Sequence, residues 1–173
     1  KPQIIGISLR SPIYNVMGKI TAKIREFFPD IIIVWGGTHA TICPEECIKH
    51  VDYVCRGEGE LSFLEFVQKV EASSSLDNIK NFWIKKNVGG EEIITKNPVS
   101  NLLENLDEIP IFDYSNENKY YIENNKLSNG DPIINLSKYT IMVSRGCPFK
   151  CSFCSNSYFH HLFSNKGKFV RRR

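Results

Sequence analysis

Three cysteines near the end of the chain, Cys147, Cys151 and Cys154, are spaced so that they can hold a metal centre. They follow the pattern Cys-x-x-x-Cys-x-x-Cys after an apolar run, and Gly146 and Pro148 flank the first thiol. Structural zinc sites are usually closed by four protein ligands. An iron-sulfur cubane held by three cysteines instead keeps one iron open to an exogenous ligand. The missing fourth cysteine therefore favours a cluster with an open coordination position.

This loop resembles the cluster loop of the radical S-adenosylmethionine (radical SAM) enzymes, in which an aromatic residue also precedes the last cysteine, here Phe153. The resemblance implies that Cys147, Cys151 and Cys154 hold a 4Fe-4S cluster and that Phe153 lies against the adenine of S-adenosylmethionine. In that family the amino and carboxylate groups of S-adenosylmethionine chelate the fourth iron. Electron transfer then cleaves the sulfonium to methionine and a 5'-deoxyadenosyl radical.

Other uses of the three thiols stay open at this point. One alternative is a zinc knuckle completed by His160 or His161, and another is three unrelated thiols. The competing functional class is a non-catalytic α/β ligand-binding or regulatory module with a zinc-binding cysteine loop. Iron uptake after anaerobic reconstitution distinguishes the enzyme from the module.

Strands and amphipathic helices alternate in the first part of the chain. Apolar runs predict strands over Gln3–Leu9, Ile31–Trp35 and Val51–Cys55, and helical spacing predicts helices over Met17–Phe28, Pro44–Lys49 and Glu60–Glu71. This order is typical of an open parallel α/β sheet, whose ligands bind at the carboxyl ends of the strands. Glycine-rich and polar clusters at 8–11, 36–41 and 56–60 follow these strands and are predicted to share one edge of the sheet.

The motifs Trp-Gly-Gly-Thr-His-Ala-Thr at 35–41 and Arg-Gly-Glu-Gly-Glu at 56–60 resemble the cobalamin-binding domain of one large radical SAM subgroup. In that subgroup a glycine pair lets the backbone approach the nucleotide tail of the cofactor. A bulky planar group fits beside a sheet only where side chains are absent. The resemblance implies these cobalamin contacts: Ser8, Gly36, Gly37, Gly57 and Glu58.

Each of these residues also has a structural interpretation. Gly36 and Gly37 end a strand, and Glu58 is a carboxylate near a helix N-terminus, where the helix dipole favours it. His39 is expected to be a hydrogen-bonded or exposed loop histidine. The family loop whose histidine ligates cobalt in some members would precede Lys1, so the lower axial ligand is not identified. Cys43, Cys47 and Cys55 are interpreted as buried free thiols rather than a metal site.

Three segments are predicted along the chain. Residues 1–75 form a cobalamin-binding α/β domain, and residues 76–137 form a hairpin at 81–96, a linker and an Asn-rich loop that is mobile or inserted. Residues 138–173 begin a radical SAM domain with the opening strand, at 138–144, and the cluster loop of a partial TIM-like barrel. We expect the sequence to be a fragment truncated at both ends.

Composition and charge point to no special class of protein. The chain is 42% hydrophobic and 24% charged, with a net charge of +3. No apolar run reaches the roughly 20 residues that cross a bilayer, and the N-terminus lacks the pattern of a signal peptide. A cytoplasmic setting is therefore expected, and the basic residues at 166–173 are interpreted as a solvated stretch rather than a nucleic-acid contact.

Taken together, the two resemblances imply a cobalamin-dependent radical SAM enzyme. They imply methyl transfer, or radical cyclisation or rearrangement, on a small-molecule, natural-product or lipid-like substrate. They also imply an electron donor such as flavodoxin or ferredoxin. Catalytic residues beyond the cofactor ligands are not identified, because substrate contacts in this family come from later parts of the barrel.

Overall fold

A mixed sheet of five strands forms the centre of the protein. The computed structural model describes residues 2–133 and 141–173. In chain order and in spatial order the strands are β1 Ile4–Ser8, β2 Ile32–Gly36, β3 Tyr53–Cys55, β4 Phe82–Val88 and β5 Glu91–Lys96. The first three strands are parallel, and the last two pairings are antiparallel. The predicted α/β class is therefore confirmed.

Helices connect the parallel strands and continue after them. They are α1 Tyr14–Phe27, α2 Gly37–Ile42, α3 Pro44–Cys47, α4 Glu60–Glu71 and α5 Ser155–Leu162, with 3-10 turns at Ser11–Ile13 and Leu106–Glu108. Helix α4 begins and ends at the predicted residues. The polar cluster at 36–41, by contrast, folds mostly into α2, so that His39 is a helical residue and not a loop residue.

Side chains on the two faces of the sheet form two separate apolar cores. Alternation along β2 places Ile33 and Trp35 in the core under α1 and α3, and Val34 in the core under α4. Phe66 of α4 is fully buried and stacks on Phe82 of β4. The ends of the strands, which carry the glycine motifs, are thereby fixed from both sides.

The predicted hairpin at 81–96 forms and extends the sheet. Strand β4 pairs with β3 through Tyr53 and Ile84, so the sheet has five strands, where the sequence alone gives three. The reason lies in the first half of β4, where Phe82, Trp83 and Ile84 are buried. The boundary proposed at residue 75 stays a prediction.

The Asn-rich segment contains regular structure that was not predicted. Strands β6 Tyr120–Glu123 and β7 Lys126–Asn129 pair antiparallel. Asn124 and Asn125 join them with φ values of 50° and 60°. Asparagine tolerates positive φ and is favoured in two-residue hairpin turns of this kind. The asparagines whose abundance suggests a loop therefore form the turn of a hairpin.

The strand predicted at 138–144 falls partly outside the described residues. Residues 141–143 are described and form no strand. Strand β8, Ser144–Arg145, pairs antiparallel with β9, Arg171–Arg172. No helix in the described parts of the chain is long and apolar enough to cross a membrane.

Candidate functional site

The three polar clusters share one edge of the sheet, as predicted. Ser8 at the end of β1 lies beside Gly36 at the end of β2. A cavity of about 370 Å³ at this edge is lined by residues of all three clusters, among them Ser8, Gly36, Gly37, Gly57, Gly59 and Glu60. The predicted cobalamin residues Ser8, Gly36, Gly37 and Gly57 therefore come together at a cleft.

The two glycines of the first motif are required for different reasons. Gly37 has a φ of +89°, and a Cβ there would lie 2.8 Å from the Leu9 carbonyl oxygen, so backbone geometry alone excludes other residues. Gly36 is extended, with a φ of −138° that any residue adopts. Its Cβ would make only ordinary contacts, the nearest at 3.6 Å. What glycine provides at Gly36 is space in the cleft.

Thr41 of α2 ties the glycine motifs to each other. Its hydroxyl donates to the Gly37 carbonyl at 2.9 Å and accepts from the Gly57 amide at 2.9 Å. Its carbonyl accepts a hydrogen bond of 3.3 Å from the Tyr158 hydroxyl in α5. One threonine therefore holds both sides of the cleft and the helix that follows the cluster loop.

The buried side chain of Asn81 holds the loop between β3 and α4 in place. Asn81 is 1% exposed and has a φ of 71°. Its side-chain amide donates to the Glu58 carbonyl at 2.8 Å and to Ser62 Oγ at 2.9 Å. Ser100 Oγ lies 3.1 Å from the same nitrogen and shares its two hydrogens with these acceptors, and the side-chain carbonyl of Asn81 accepts from the Ser100 amide at 2.6 Å. The loop at 56–60 is thus held in place by a residue that sequence motifs do not reveal.

Two arginines join the loop at 56–60 to the cluster region. Arg171 donates to both carboxylate oxygens of Glu58, at 2.9 and 2.5 Å, and Arg145 donates to Glu60 at 2.5 Å. The two arginines pair with each other in the β8–β9 ladder. Burial opposes ionisation of Glu60, but the hydrogen bond from Arg145 and its charge hold the pKa of that carboxyl below its ordinary value. We call these two ion pairs the arginine clamp.

The clamp corrects two expectations. Arg171 is only 4% exposed, so the basic end of the chain is not simply a solvated stretch. Glu58 is not just a carboxylate at a helix N-terminus, because both of its oxygens are bound by Arg171. A cobalamin contact of Glu58 stays a prediction.

The cluster loop lies next to this clamp. Gly146 has a φ of +84°, and a Cβ there would lie 2.2 Å from the Phe169 carbonyl oxygen. Cys154 is the residue before α5, and its amide donates to the Cys151 carbonyl at 3.1 Å. All three thiols are free, and Cys151 is exposed. The first cysteine is therefore held by a turn that only glycine can make.

The three sulfurs do not converge as ligands of a single ion would. Among the described residues, the three do not all lie within 4.8 Å of one another. His160 is engaged elsewhere, with Nε2 at 2.6 Å from the Cys147 carbonyl oxygen. A zinc knuckle completed by His161 stays the alternative to the cluster. Phe153 is 91% exposed beside the last cysteine, and its contact with adenine stays a prediction.

A second cavity, of about 660 Å³, connects the sheet edge to the cluster loop. One wall is formed by the sheet edge, including Ser8, Gly37 and Gly57. The other wall contains Gly146, next to the first cysteine, and Phe163 of the α5 region. The cavity therefore reaches from the strand ends to Gly146, the residue before the first cysteine of the loop.

The other cysteines behave largely as predicted. Cys47 and Cys55 are buried free thiols, whereas Cys43 is only half-buried. Burial, with the nearby thiol of Cys43 and carboxylate of Glu46, raises the pKa of Cys47 to about 12. Burial and the Glu60 carboxylate raise the pKa of Cys55 to about 12. Both thiols are therefore protonated and unreactive at neutral pH.

Comparison with known proteins places these motifs in a family context. The B12 binding domain model matches residues 1–67. An uncharacterized methyltransferase from Pyrococcus horikoshii is 35% identical over 90% of this chain and 32% of its own length. The anaerobic magnesium-protoporphyrin IX monomethyl ester cyclase of Rubrivivax gelatinosus is 31% identical over 90% of this chain and 27% of its own length.

A solved structure supports the same fold. The radical S-adenosylmethionine methyltransferase TsrM from Kitasatospora setae, with tryptophan substrate and a SAM analogue bound, aligns with a TM-score of 0.64 and 17% identity. The alignment covers 100% of this chain and 32% of that one. The chain thus spans 27–32% of the length of these three proteins.

Proposed function

Because the chain belongs to the radical SAM proteins that carry a B12-binding domain, we propose that it binds cobalamin at the sheet edge and a 4Fe-4S cluster at Cys147, Cys151 and Cys154. The protein that contains it would be an enzyme that cleaves S-adenosylmethionine reductively. Its reaction would be methyl transfer, or radical cyclisation or rearrangement. The observation that carries this proposal is the cleft that runs from the glycine-lined strand ends to Gly146, directly before the first cysteine of the loop.

The residues at the sheet edge suit a large planar cofactor. Gly36 has a backbone conformation that any residue can adopt, so what its missing side chain provides is free space in the cleft. Gly37 and Gly57 keep the backbone bare on both sides of the cleft, and Thr41 fixes their separation. These residues would hold the nucleotide tail of cobalamin, with Ser8 as a polar contact at the end of β1.

The cluster loop suits an open 4Fe-4S cluster. Thiolates are the ligands that such clusters require, and each thiolate binds a different iron, so the three sulfurs need not meet at one point. Cys154 lies directly before the first residue of α5, at the end of the loop. When bound, the cluster supplies the electron for cleavage of S-adenosylmethionine, and cobalamin supplies a methyl carrier.

The related proteins support a proposal for the class of substrate. Tryptophan and a magnesium-porphyrin ester, named for two relatives, are small molecules. We therefore propose a small-molecule substrate, which includes natural products and lipid-like molecules. An external one-electron donor such as flavodoxin or ferredoxin would reduce the cluster.

The cobalamin part of the proposal is tested by filling the cleft without straining the backbone. Gly36→Val should fold, yet weaken cobalamin binding about tenfold or more, because overpacking of a fitted site costs about 1–3 kcal/mol. Cobalamin absorbance titration of the purified protein measures the affinity. Ile32→Val, on the same strand but outside the residues that line the cleft, is the matched control.

Two results would contradict the cobalamin assignment. One is failure of the parent protein to bind cobalamin. The other is Gly36→Val binding cobalamin as tightly as the parent does. Equal weakening by Ile32→Val and Gly36→Val would place the effect in the strand and not in the cleft.

A further inference from the structure

A second group of metal-ligating side chains lies outside the cleft, where α2 meets α3. His39, Cys43 and Glu46 each offer one ligand atom, and these atoms all lie within 4.8 Å of one another. Cys43 is the single residue between the two helices. The chain bends there, because Cys43 has φ −122° and ψ 57°, which is not helical, and Pro44 starts the next helix. This bend brings Glu46 back towards His39.

Only one of the two imidazole nitrogens of His39 has a hydrogen-bond partner among the described residues. The residue is 6% exposed, and its Nδ1 lies 3.0 Å from Ser11 Oγ. Its Nε2 is buried and has no hydrogen-bond partner among the described residues. Buried polar atoms are almost always hydrogen-bonded, so an orphan nitrogen aimed at a thiol and a carboxylate points to a missing ligand.

The distances suit ligands of one ion better than a hydrogen bond. His39 Nε2 lies 3.6 Å from a carboxylate oxygen of Glu46, which is beyond good hydrogen-bond geometry. Two ligands of a tetrahedral zinc ion, at ordinary bond lengths, stand about 3.4 Å apart. The sulfur of Cys43 needs only a small side-chain adjustment to join them.

We propose that His39 Nε2, Cys43 Sγ and the Glu46 carboxylate bind one divalent transition-metal ion of the Zn²⁺ class. Nitrogen, sulfur and oxygen ligands together are typical of zinc, and three protein ligands leave a fourth position for water. Glu46 is half-exposed, with 53% of its side chain accessible, so the fourth position opens to solvent. With a metal ion on Nε2, the Nδ1 of His39 would carry the proton and donate to Ser11 Oγ, 3.0 Å away, and this bond would orient the imidazole.

The ion would cross-link α2 and α3 beneath the start of α1. The ring of Tyr14 lies over His39 with the centroids 4.8 Å apart, which closes the site on that side. Among the described residues that line the two cavities of the cleft, none belongs to this group. The three ligand residues of the proposed zinc site thus lie outside the proposed cobalamin and cluster sites.

Cobalt(II) spectroscopy tests this site. The intact protein should carry Cys147→Ala, Cys151→Ala and Cys154→Ala, so that the cluster thiols cannot bind the probe. Under reducing conditions and without cobalamin, one equivalent of Co²⁺ should give a thiolate charge-transfer band in the near ultraviolet and strong four-coordinate bands in the visible. Zn²⁺ should displace the Co²⁺ and abolish both.

Paired variants assign the ligands. Adding Cys43→Ser should abolish the near-ultraviolet band, and Glu46→Gln should weaken Co²⁺ binding about tenfold or more. Glu45→Gln, the adjacent carboxylate outside the group, should leave affinity unchanged. The proposal is overturned if Co²⁺ does not bind saturably, if the band survives Cys43→Ser, or if Glu45→Gln and Glu46→Gln weaken binding equally.

Discussion

Asn81 shows how much of the cleft depends on one buried side chain. It combines a φ of 71° with hydrogen bonds to the loop at 56–60, to α4 and to the segment after β5. Asparagine accepts this backbone conformation at lower cost than most residues. Its amide also satisfies groups that would otherwise be buried without partners.

We predict that Asn81→Ala lowers the free energy of unfolding by about 3 kcal/mol, since it strains the backbone and orphans several buried polar groups. Chemical denaturation measures the loss. Asn101→Ala, at an exposed position, should change stability by no more than about 0.5 kcal/mol. A loss from Asn81→Ala no larger than that of the control would contradict the role given to Asn81.

Thiol reactivity separates the buried cysteines from the cluster loop. The pKa of Cys55 is about 12, against an ordinary value of 9.0. In the folded, metal-free protein at pH 9, iodoacetamide should therefore modify Cys151 rapidly and Cys55 slowly, as read by peptide mass spectrometry. Equal rates at the two positions in native protein would contradict the burial of Cys55.

The raised pKa of Cys55 also determines whether the free energy of unfolding rises or falls with pH. The unfolded Cys55 thiol ionises near its ordinary pKa, whereas the folded one stays protonated until about pH 12. The contribution of the Cys55 thiol to the free energy of unfolding is complete below pH 9 and falls as the pH rises from about 9 to 12. Stability that increased over this window would contradict the assignment.

At the scale of elements, the arginine clamp joins β8 and β9 to the loop before α4. Arg171 is the buried partner, with 3% of its side chain exposed, against 21% for Glu58. Removal of one member of a buried ion pair leaves the other charge without a partner, which is the costly outcome.

We predict that Arg171→Met lowers the free energy of unfolding by about 3 kcal/mol, and that adding Glu58→Gln restores part of the loss. A double-mutant cycle from denaturation curves measures the coupling. Arg172→Met, its exposed neighbour in β9, is the matched control and should have little effect. Additive losses, or equal losses for Arg171→Met and Arg172→Met, would contradict the clamp.

Periodic elements could be predicted from the sequence, and contacts set by chain folding could not. The runs of β1 to β3 and the spacing of α4 are local signals. Helix α2 has no such signal, because it is short and begins at Gly37 directly after a strand. The pairing of β4 with β3 depends on burial of Phe82 and Trp83, which only tertiary packing determines.

The site divides in the same way. The motifs identified the glycines that line the cleft and the three cysteines of the loop. They included Thr41 without indicating its role, and they gave no sign of Asn81, Arg145 or Arg171, because these roles come from contacts between distant parts of the chain. From the sequence alone, a buried arginine in a basic stretch cannot be distinguished from a solvated one, because its partner carboxylate is distant in sequence.

At the scale of the whole molecule, one cleft reaches from the sheet edge to the residue before the first cysteine of the cluster loop. The sheet edge and the cluster loop come from opposite ends of the chain and meet at the arginine clamp. If this arrangement is correct, a cluster on the loop has an iron that S-adenosylmethionine can reach. That open iron is the feature which separates the proposed enzyme from a module with a closed zinc site.

The most direct measurement is electron paramagnetic resonance after anaerobic reconstitution with iron and sulfide. The reduced protein should give a 4Fe-4S signal that S-adenosylmethionine perturbs and that Cys151→Ala abolishes. Cys55→Ala, a cysteine outside the loop, is the control and should retain the signal. Well-folded protein that takes up zinc but no cluster, or a cluster that S-adenosylmethionine leaves unchanged, would contradict the radical SAM assignment.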